Sequence, residues 1–215
     1  YNSLLAEPTS PEKAGETFKG WSDTNHIWNF ATDKVTSDIT LYAVWEGETF
    51  TVTPAQSGEG YTVDSTDNTN VTYGGDYTFT VTIADHYNAS NMKVYANGML
   101  LTGSANVKTY TYTVKNIVAD QTITVTGVSI DKHTVTYMVN GQVYSTVQAD
   151  YNSLLAEPTS PEKAGETFKG WSDTNRIWNF ATDRVTSDIT LYAVWESGVL
   201  TVTPAQNGEG YTVDS

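Results

Sequence analysis

Six tryptophans have the side chains in this sequence best suited to binding a ligand, because an indole face can stack on a sugar ring. They form two sets of three in two near-identical segments: Trp21, Trp28 and Trp45, then Trp171, Trp178 and Trp195. Against a sugar-binding role, a unit of about 65 residues has few ways to fill a core, and each large ring buries roughly 150–250 Å². We therefore expect at least two of Trp21, Trp28 and Trp45 to be mostly buried. Trp45 is the surest, because it shares a strand face with Ile39 and Leu41.

Three histidines, His26, His86 and His133, are the next candidates for chemistry. His26 is replaced by Arg176 in the second segment, so it is not indispensable, and we expect surface roles for all three. The sequence has no cysteine and therefore no thiol nucleophile or cysteine metal site. It also lacks a His-x-x-x-His pair, a nucleophile elbow, a Walker loop and a G-x-G-x-x-G motif. We predict no enzymatic activity, no cofactor and no catalytic or metal-binding residue.

Carboxylates offer one possible exception, a calcium site. Asp64 and Asp67 flank a Ser/Thr turn, and Asp85 lies near Asn88. Calcium favours several clustered oxygens, but residues 64–68 lack the regular D-x-D-x-D-G spacing of a calcium loop. A plain turn closed by aspartate side chains is the favoured interpretation.

Lysines offer a second possible exception, an isopeptide crosslink to asparagine. Such a bond needs a lysine buried beside an asparagine and a carboxylate, and Lys93 and Lys108 are the candidates. Lysines on strands more often face water, so we expect no crosslink.

Charge and hydropathy narrow the range of partners. The 215 residues include 11 basic and 25 acidic side chains, for a net charge of −14. That balance opposes binding to nucleic acid, which needs a basic surface, and adsorption to anionic lipid. No stretch approaches 18 consecutive apolar residues, so we expect no membrane insertion.

Alternation of apolar residues with threonine is the main structural signal. It runs through residues 49–53, 77–83, 109–114, 121–126 and 134–139. A period of two places large side chains on one face of a strand, and β-branched threonine favours strands. Residues 3–7 and 11–15 could each form one short helical turn, but no window has a longer helical period. The sequence predicts a mainly β protein.

A long internal repeat organises the chain. Residues 1–65, the first copy, return as residues 151–215, the second copy, with differences at only seven positions: 26, 34, 47, 48, 49, 50 and 57. Such similarity is typical of tandem arrays, which act as spacers, fibres or multivalent surfaces. Four of the differences cluster at residues 47–50, so we predict a module junction there that diverges in backbone and acts as a hinge.

Two kinds of module alternate within the 150-residue period. Residues 131–196 predict a hairpin at 134–147 with its turn at Asn140-Gly141, a proline-bearing loop, and two further strands. Residues 47–130 hold about seven short strands separated by turn residues, which fits a small immunoglobulin-like (Ig-like) sandwich.

The first kind of module resembles the Listeria–Bacteroides repeat family, the B-repeat type first associated with internalin surface proteins. The matching residues are 157–165, Phe168-Lys169-Gly170-Trp171, Trp178-Asn179-Phe180, Val185-Thr186 and 189–195, and the same signature occupies residues 7–45. The resemblance implies compact β-grasp modules strung along bacterial surface and secreted proteins, with a spacer or adhesion role. The other module is similar in general style to bacterial Ig-like surface domains, through residues 94–98 and 120–125.

These observations predict four segments: a partial β-grasp-like repeat at 1–46, an Ig-like sandwich at 47–130, a complete repeat at 131–196 and the start of another sandwich at 197–215. We expect a structural segment of an extracellular bacterial surface protein or secreted fibre; the alternative is a carbohydrate-binding module using the tryptophans. Expected partners are neighbouring repeats or identical chains, together with host or cell-surface glycans or proteins. Residues 1–46 lack the hairpin strands, so we expect another copy's 134–147 hairpin against them, from a longer array or by strand exchange.

Overall fold

A computed structural model describes residues 2–198, and this part of the chain is all β, with seventeen strands and no helix. The prediction of a mainly β protein is confirmed, although residues 3–7 and 11–15 form no helical turn. Contacts divide the chain into two compact units, Tyr1–Ile130 and Asp131–Ser215. The predicted segment 197–215 lies almost wholly outside the described residues.

The strands are β1 Glu16–Ser22, β2 Tyr42–Gly47, β3 Thr49–Thr53, β4 Tyr61–Asp64, β5 Asn70–Thr72, β6 Gly75–Ile83, β7 Tyr87–Asn88, β8 Lys93–Ala96, β9 Met99–Leu100, β10 Ser104–Asn106, β11 Thr109–Ile117, β12 Gln121–Thr126, β13 Ser129–Ile130, β14 Lys132–Val139, β15 Gln142–Asp150, β16 Glu166–Ser172 and β17 Ile189–Ser197. All five threonine-rich runs are strands, as predicted. The middle module has eleven strands, β3 to β13, rather than about seven, and three of them, β7, β9 and β13, are only two residues long.

The part of the first copy before the junction, residues 2–47, forms a two-stranded antiparallel sheet of β1 and β2. Phe18 lies opposite Trp45, and the register shifts between Phe18 and Gly20. The irregular segment before β1 is tied to the chain near Val35 by backbone bonds, Asn2 N–H to Val35 O at 2.7 Å and Val35 N–H to Ser3 O at 2.9 Å. Trp28 is the one buried hydrophobic residue among residues 2–46.

Besides a short antiparallel pair of β7 and β13, residues 49–130 build two sheets around their own core. One has the strand order β10-β11-β6-β4 and the other β5-β3-β12-β8-β9, with β3 and β12 parallel. Along β6, alternate residues such as Tyr77, Phe79 and Val81 are buried, which follows from the period-two pattern. The core of the N-terminal unit lies here and includes no residue of the first 48.

The junction between β2 and β3 is a single residue, Glu48, and it is hydrogen-bonded on both sides. Its N–H donates to Gly15 O at 2.8 Å, and its carbonyl accepts from the Tyr73 N–H at 3.0 Å. In the second copy the N–H of Gly198 makes the same bond to Gly165 O, at 2.9 Å. The backbone bonds on both sides of Glu48 restrain this junction and argue against a hinge there, whereas the predicted backbone divergence between the copies stays a prediction.

The C-terminal unit is a four-stranded sheet of order β15-β14-β17-β16. Strands β14 and β15 form the predicted hairpin, with Asn140 at φ 51° and Gly141 at φ 80°, the positive values of a tight hairpin turn. Strand β14 then pairs with β17 in parallel, and β16 pairs antiparallel with β17. The core joins hairpin residues Val135 and Tyr137 to residues of the second copy.

Candidate functional site

The tryptophans of the second copy are mostly core residues. Trp171 is fully buried and Trp178 is 7% exposed. Hairpin rings cover Trp171: its centroid lies 4.9 Å from that of Tyr137 and 5.7 Å from that of Tyr144. The indole nitrogens of Trp171 and Trp178 are buried without a hydrogen-bond partner. Neither ring is available as a platform for a sugar.

The first copy gives a different order of burial from the one predicted. Trp28 is buried, whereas Trp21 and Trp45 are only partly buried. Trp45 was expected to be the surest core residue, but Ile39 on the same face is 38% exposed. Trp195 is also partly exposed, because this position lies near the end of its strand, opposite Phe168, rather than at the centre of the sheet.

The two copies differ most in the face that the β14–β15 hairpin covers. In the second copy Leu155, Trp171, Val185 and Leu191 are buried in the core together with hairpin residues. Their first-copy counterparts Leu5, Trp21, Val35 and Leu41, here called the open face, are all partly exposed. Leu5 is 37% exposed and Leu155 only 7%. Because the sequence of this face is the same in both copies, the hairpin accounts for the difference.

The side chain at position 26/176 contacts the same aspartate through a ring or guanidinium nitrogen in both copies. His26 Nε2 lies 2.8 Å from Asp33 Oδ2, and Arg176 Nη2 donates to Asp183 Oδ1 at 2.8 Å. The hydrogen bond with Asp33 raises the pKa of His26. The Arg176 bond and the Asn179 N–H lower the pKa of Asp183. The substitution therefore conserves a side-chain contact with this aspartate that closes a loop, so His26 has a structural role.

The other two histidines, His86 and His133, are far apart in the sequence and belong to different units. His86 occupies a turn with φ 64°, in the N-terminal unit. His133 is on β14, and its Nδ1 lies 3.4 Å from Asp188 Oδ1. Asp188 also accepts the Thr134 N–H at 2.8 Å, so it ties β14 to the start of β17.

The carboxylates considered for calcium make turn and ion-pair contacts instead. Asp67 Oδ2 accepts the Thr78 N–H at 2.6 Å, and the Asp67 N–H donates to Ser65 Oγ at 3.0 Å. Asp85 pairs with Lys108 Nζ at 3.0 Å, and this bond lowers the pKa of Asp85. Within residues 2–198, no cluster of three or more His, Cys, Asp or Glu side chains could hold a metal ion.

The lysines considered for an isopeptide bond are both at the surface. Lys93 is exposed, and the Lys108 side chain is 42% exposed and paired with Asp85. Neither is a buried lysine of the kind that such a crosslink requires. Over the described range there is also no helix of the length and hydropathy needed to cross a membrane.

Comparison with known proteins identifies the repeat. Residues 1–44 and 133–194 match the model of the Listeria–Bacteroides repeat domain. In the second match the β14–β15 hairpin is part of the repeat. The resemblance noted in the sequence is therefore confirmed for these two segments.

Three relatives contain similar sequence over most of this chain. A protein of Evansella cellulosilytica, whose name describes a Gly-rich membrane protein, is 34% identical over 97% of the chain and 24% of its own length. A second protein of that organism, named as a membrane protein, is 33% identical over 91% of the chain and 29% of its own length. Internalin H of Listeria monocytogenes is 26% identical over 97% of the chain and 26% of its own length. The chain thus spans about a quarter of each relative.

Proposed function

We propose that this chain is a non-enzymatic spacer segment of a bacterial cell-surface protein, in which β-grasp-like and Ig-like modules alternate. The match to Listeria–Bacteroides repeats and the similarity to internalin H support a surface location. The proposed modules are residues 1–46 and 131–196 for the repeats, and 47–130 for the sandwich.

The strand connections support both module types. In residues 131–196 strands β14 and β15 form a hairpin, and the last strand, β17, pairs in parallel with β14. The resulting strand order is β15-β14-β17-β16. A mixed four-stranded sheet of that order is the arrangement of a β-grasp module. In residues 49–130 two sheets enclose one core, as in an Ig-like sandwich.

The observation that carries the proposal is the one-residue junction at Glu48. Its backbone bonds to Gly15 O and from the Tyr73 N–H join the repeat to the next module with almost no linker. Gly15 also lies against the Tyr73 ring, where an added Cβ would come within 2.4 Å of ring atoms. A short junction with contacts on both sides transmits orientation from one module to the next, as a semi-rigid spacer needs.

The test is the length of engineered arrays. Chains with one, two and three 150-residue periods are compared by small-angle X-ray scattering. We expect the maximum dimension to grow by about 60–80 Å per period, because each module of this size is roughly 30 Å across. Growth in proportion to the square root of the number of periods, typical of flexible linkers, would contradict the proposal.

A matched control removes one junction bond in these arrays, the bond from the Glu48 N–H to Gly15 O. Glu48→Pro and its periodic equivalents lack the N–H that donates to Gly15 O. These variants are expected to show smaller and more variable increments, whereas Glu48→Ala keeps the N–H and the full increment. Labelling of intact producer cells by antibodies to the chain tests the surface location separately.

A carbohydrate-binding module is the second candidate, and one observation favours it. Trp195 is partly exposed, and Lys163 Nζ lies 5.6 Å from the ring centroid; Lys13 and Trp45 repeat this at 5.8 Å. A glycan-dependent fluorescence change that Trp195→Phe abolishes would support this function. Since the lysine already occupies the space over the ring, we favour the spacer.

A further inference from the structure

We propose that the Asn140-Gly141 pair at the tip of the β14–β15 hairpin is a site of spontaneous covalent modification, at which the asparagine side chain is deamidated with water as the co-reactant. This inference goes beyond the spacer role. It rests on a comparison of two Asn-Gly turns in this chain, Asn97-Gly98 and Asn140-Gly141. The two turns match in backbone conformation, and they differ in how the asparagine side chain is held.

The reaction uses the backbone nitrogen of the residue that follows the asparagine, and a glycine there leaves room because it has no Cβ. The Gly141 nitrogen attacks Cγ of Asn140, and the new Cγ–N bond closes a five-membered succinimide ring. The Cγ–Nδ2 bond breaks, and Nδ2 leaves as ammonia with the proton that the Gly141 nitrogen loses. Water then opens the ring at one of its two carbonyls, which gives an aspartyl or an isoaspartyl residue. Overall, an NH is exchanged for an oxygen.

The two turns offer the same backbone to this reaction. Asn97 and Gly98 have φ of 46° and 79°, and Asn140 and Gly141 have φ of 51° and 80°. Each pair connects two antiparallel strands, β8 with β9 and β14 with β15. Both asparagines are exposed, and beyond the chain neighbours no heavy atom lies within 4 Å of where a Cβ on either glycine would be. Turn strain and access to water are therefore alike at the two sites.

The side chain of Asn97 is held by two hydrogen bonds to the backbone near the start of β12. Its Nδ2 donates to Asp120 O at 2.8 Å, and its Oδ1 accepts the Thr122 N–H at 2.8 Å. Both bonds have to break before Cγ can turn towards the Gly98 nitrogen. They also hold Nδ2, the group that has to leave.

The side chain of Asn140 has no such restraint. Neither its Oδ1 nor its Nδ2 makes a hydrogen bond to another residue in the part of the chain that the structure describes. Val139 and Gln142 pair across the turn, so the strands stay together while the side chain rotates. The reactive arrangement is therefore more populated at Asn140 than at Asn97.

Either product changes the hairpin turn. An aspartyl residue keeps the backbone and adds one negative charge to a chain of net charge −14. Aspartate before glycine is compatible with this kind of turn. An isoaspartyl residue inserts the side-chain methylene into the main chain, so the two-residue turn no longer has its geometry. We expect the isoaspartyl form to loosen the hairpin, whose Tyr137 ring covers Trp171.

The test incubates the folded chain at mildly alkaline pH and follows each site by tryptic peptide mapping. Trypsin places the two pairs in separate peptides, residues 94–108 and 133–163, and the third Asn-Gly pair of the sequence, at residues 207 and 208, in residues 185–215. Chromatography and mass spectrometry measure the aspartyl and isoaspartyl products. We expect Asn140 to react on the order of tenfold faster than Asn97, because the two hydrogen bonds lower the reactive population of Asn97.

Incubation in guanidinium chloride is the matched control. The unfolded chain lacks the hydrogen bonds of Asn97, so both sites should react at similar rates there. Asn140→Gln should leave this position unmodified in the folded chain, because a glutamine would have to close a six-membered ring. Asn140→Asp reproduces the aspartyl product and should unfold at the same denaturant concentration as the fresh chain, whereas chain containing isoaspartate at position 140 should unfold earlier.

Equal rates at Asn97 and Asn140 in the folded chain would overturn the proposal, as would an Asn140 side chain that reacts only after unfolding. A difference that persists in guanidinium chloride would also overturn it, because the difference would then come from neighbouring residues rather than from the hydrogen bonds of Asn97. None of these results depends on the length of the arrays, so failure here is distinguishable from failure of the spacer role.

Discussion

Replacing Trp171 and Trp21 by alanine, one at a time, measures how much the hairpin contributes to the repeat. The two residues have the same sequence neighbours over more than 20 positions. They differ in cover: Trp171 is fully buried under the β14–β15 hairpin, whereas Trp21 is partly exposed. Any difference in the cost of substitution therefore comes from tertiary surroundings.

The expected magnitudes follow from burial. Removing a fully buried tryptophan costs about 3–5 kcal/mol in the free energy of unfolding. For Trp171 this includes edge contacts to Tyr137 and Phe168, each worth about 0.5–1.5 kcal/mol. Trp21 retains the single contact to Phe18 and part of its ring is in water, so we expect about 1–2 kcal/mol.

Urea denaturation, followed by far-UV circular dichroism and by the remaining tryptophan fluorescence, provides the assay. With a slope of about 1.5 kcal/mol/M, Trp171→Ala should lower the midpoint of its unit by about 2–3 M, and Trp21→Ala by about 1 M. Trp28→Ala and Trp178→Ala are the control pair, because these residues are 8% and 7% exposed and should cost similar amounts. Equal losses for Trp21 and Trp171 would refute the role of the hairpin.

Three further outcomes are expected. Because its aspartate partner raises the pKa of His26, the ion pair is fully present below the ordinary value of about 6.5 and is lost as pH rises through the raised pKa. The stability of the first copy should therefore fall as the pH rises above about 6.5, and His26→Arg should abolish that fall in thermal melts. Gly15→Ala should lower the free energy of unfolding, measured by chemical denaturation, by about 1–3 kcal/mol more than Gly165→Ala. Both glycines have positive φ, but only at Gly15 does the new Cβ meet a close neighbour, Tyr73. Because Lys108 forms a surface ion pair, Lys108→Ala should change the free energy of unfolding by at most about 1 kcal/mol. An isopeptide bond to asparagine would release ammonia, so the intact mass of the chain should show no such loss.

Local patterns predicted the strands and the hairpin, because those features depend on neighbouring residues. Alternation of threonine with apolar residues gave β6 and β11, and Asn140-Gly141 gave the β14–β15 turn. The burial order of the tryptophans did not follow from the sequence. The burial of Trp21 and Trp45 depends on the sheet and loops packed around them, which the pattern of their own strands does not specify.

The backbone restraint at the junction was not visible in the sequence. Clustered substitutions at positions 47–50 suggested a loosely packed hinge. The structure shows that position 48 contributes its backbone, through the N–H bond to Gly15 O or Gly165 O, so that Glu48 and Gly198 serve equally well. Side-chain variation there says little about backbone restraint.

The differences between the copies indicate where the constraint on this chain lies. At position 26/176 the side chain changes but a side-chain nitrogen still contacts the same aspartate, and at 48/198 the side chain disappears but the backbone bond remains. Both preserved interactions hold the shape of a module or its connection to the next. A ligand site would instead require particular side chains to be kept on an accessible surface, yet the tryptophans are kept with their indole nitrogens largely buried. The pattern is the one expected for the proposed spacer, in which the repeat serves as a folded length of chain.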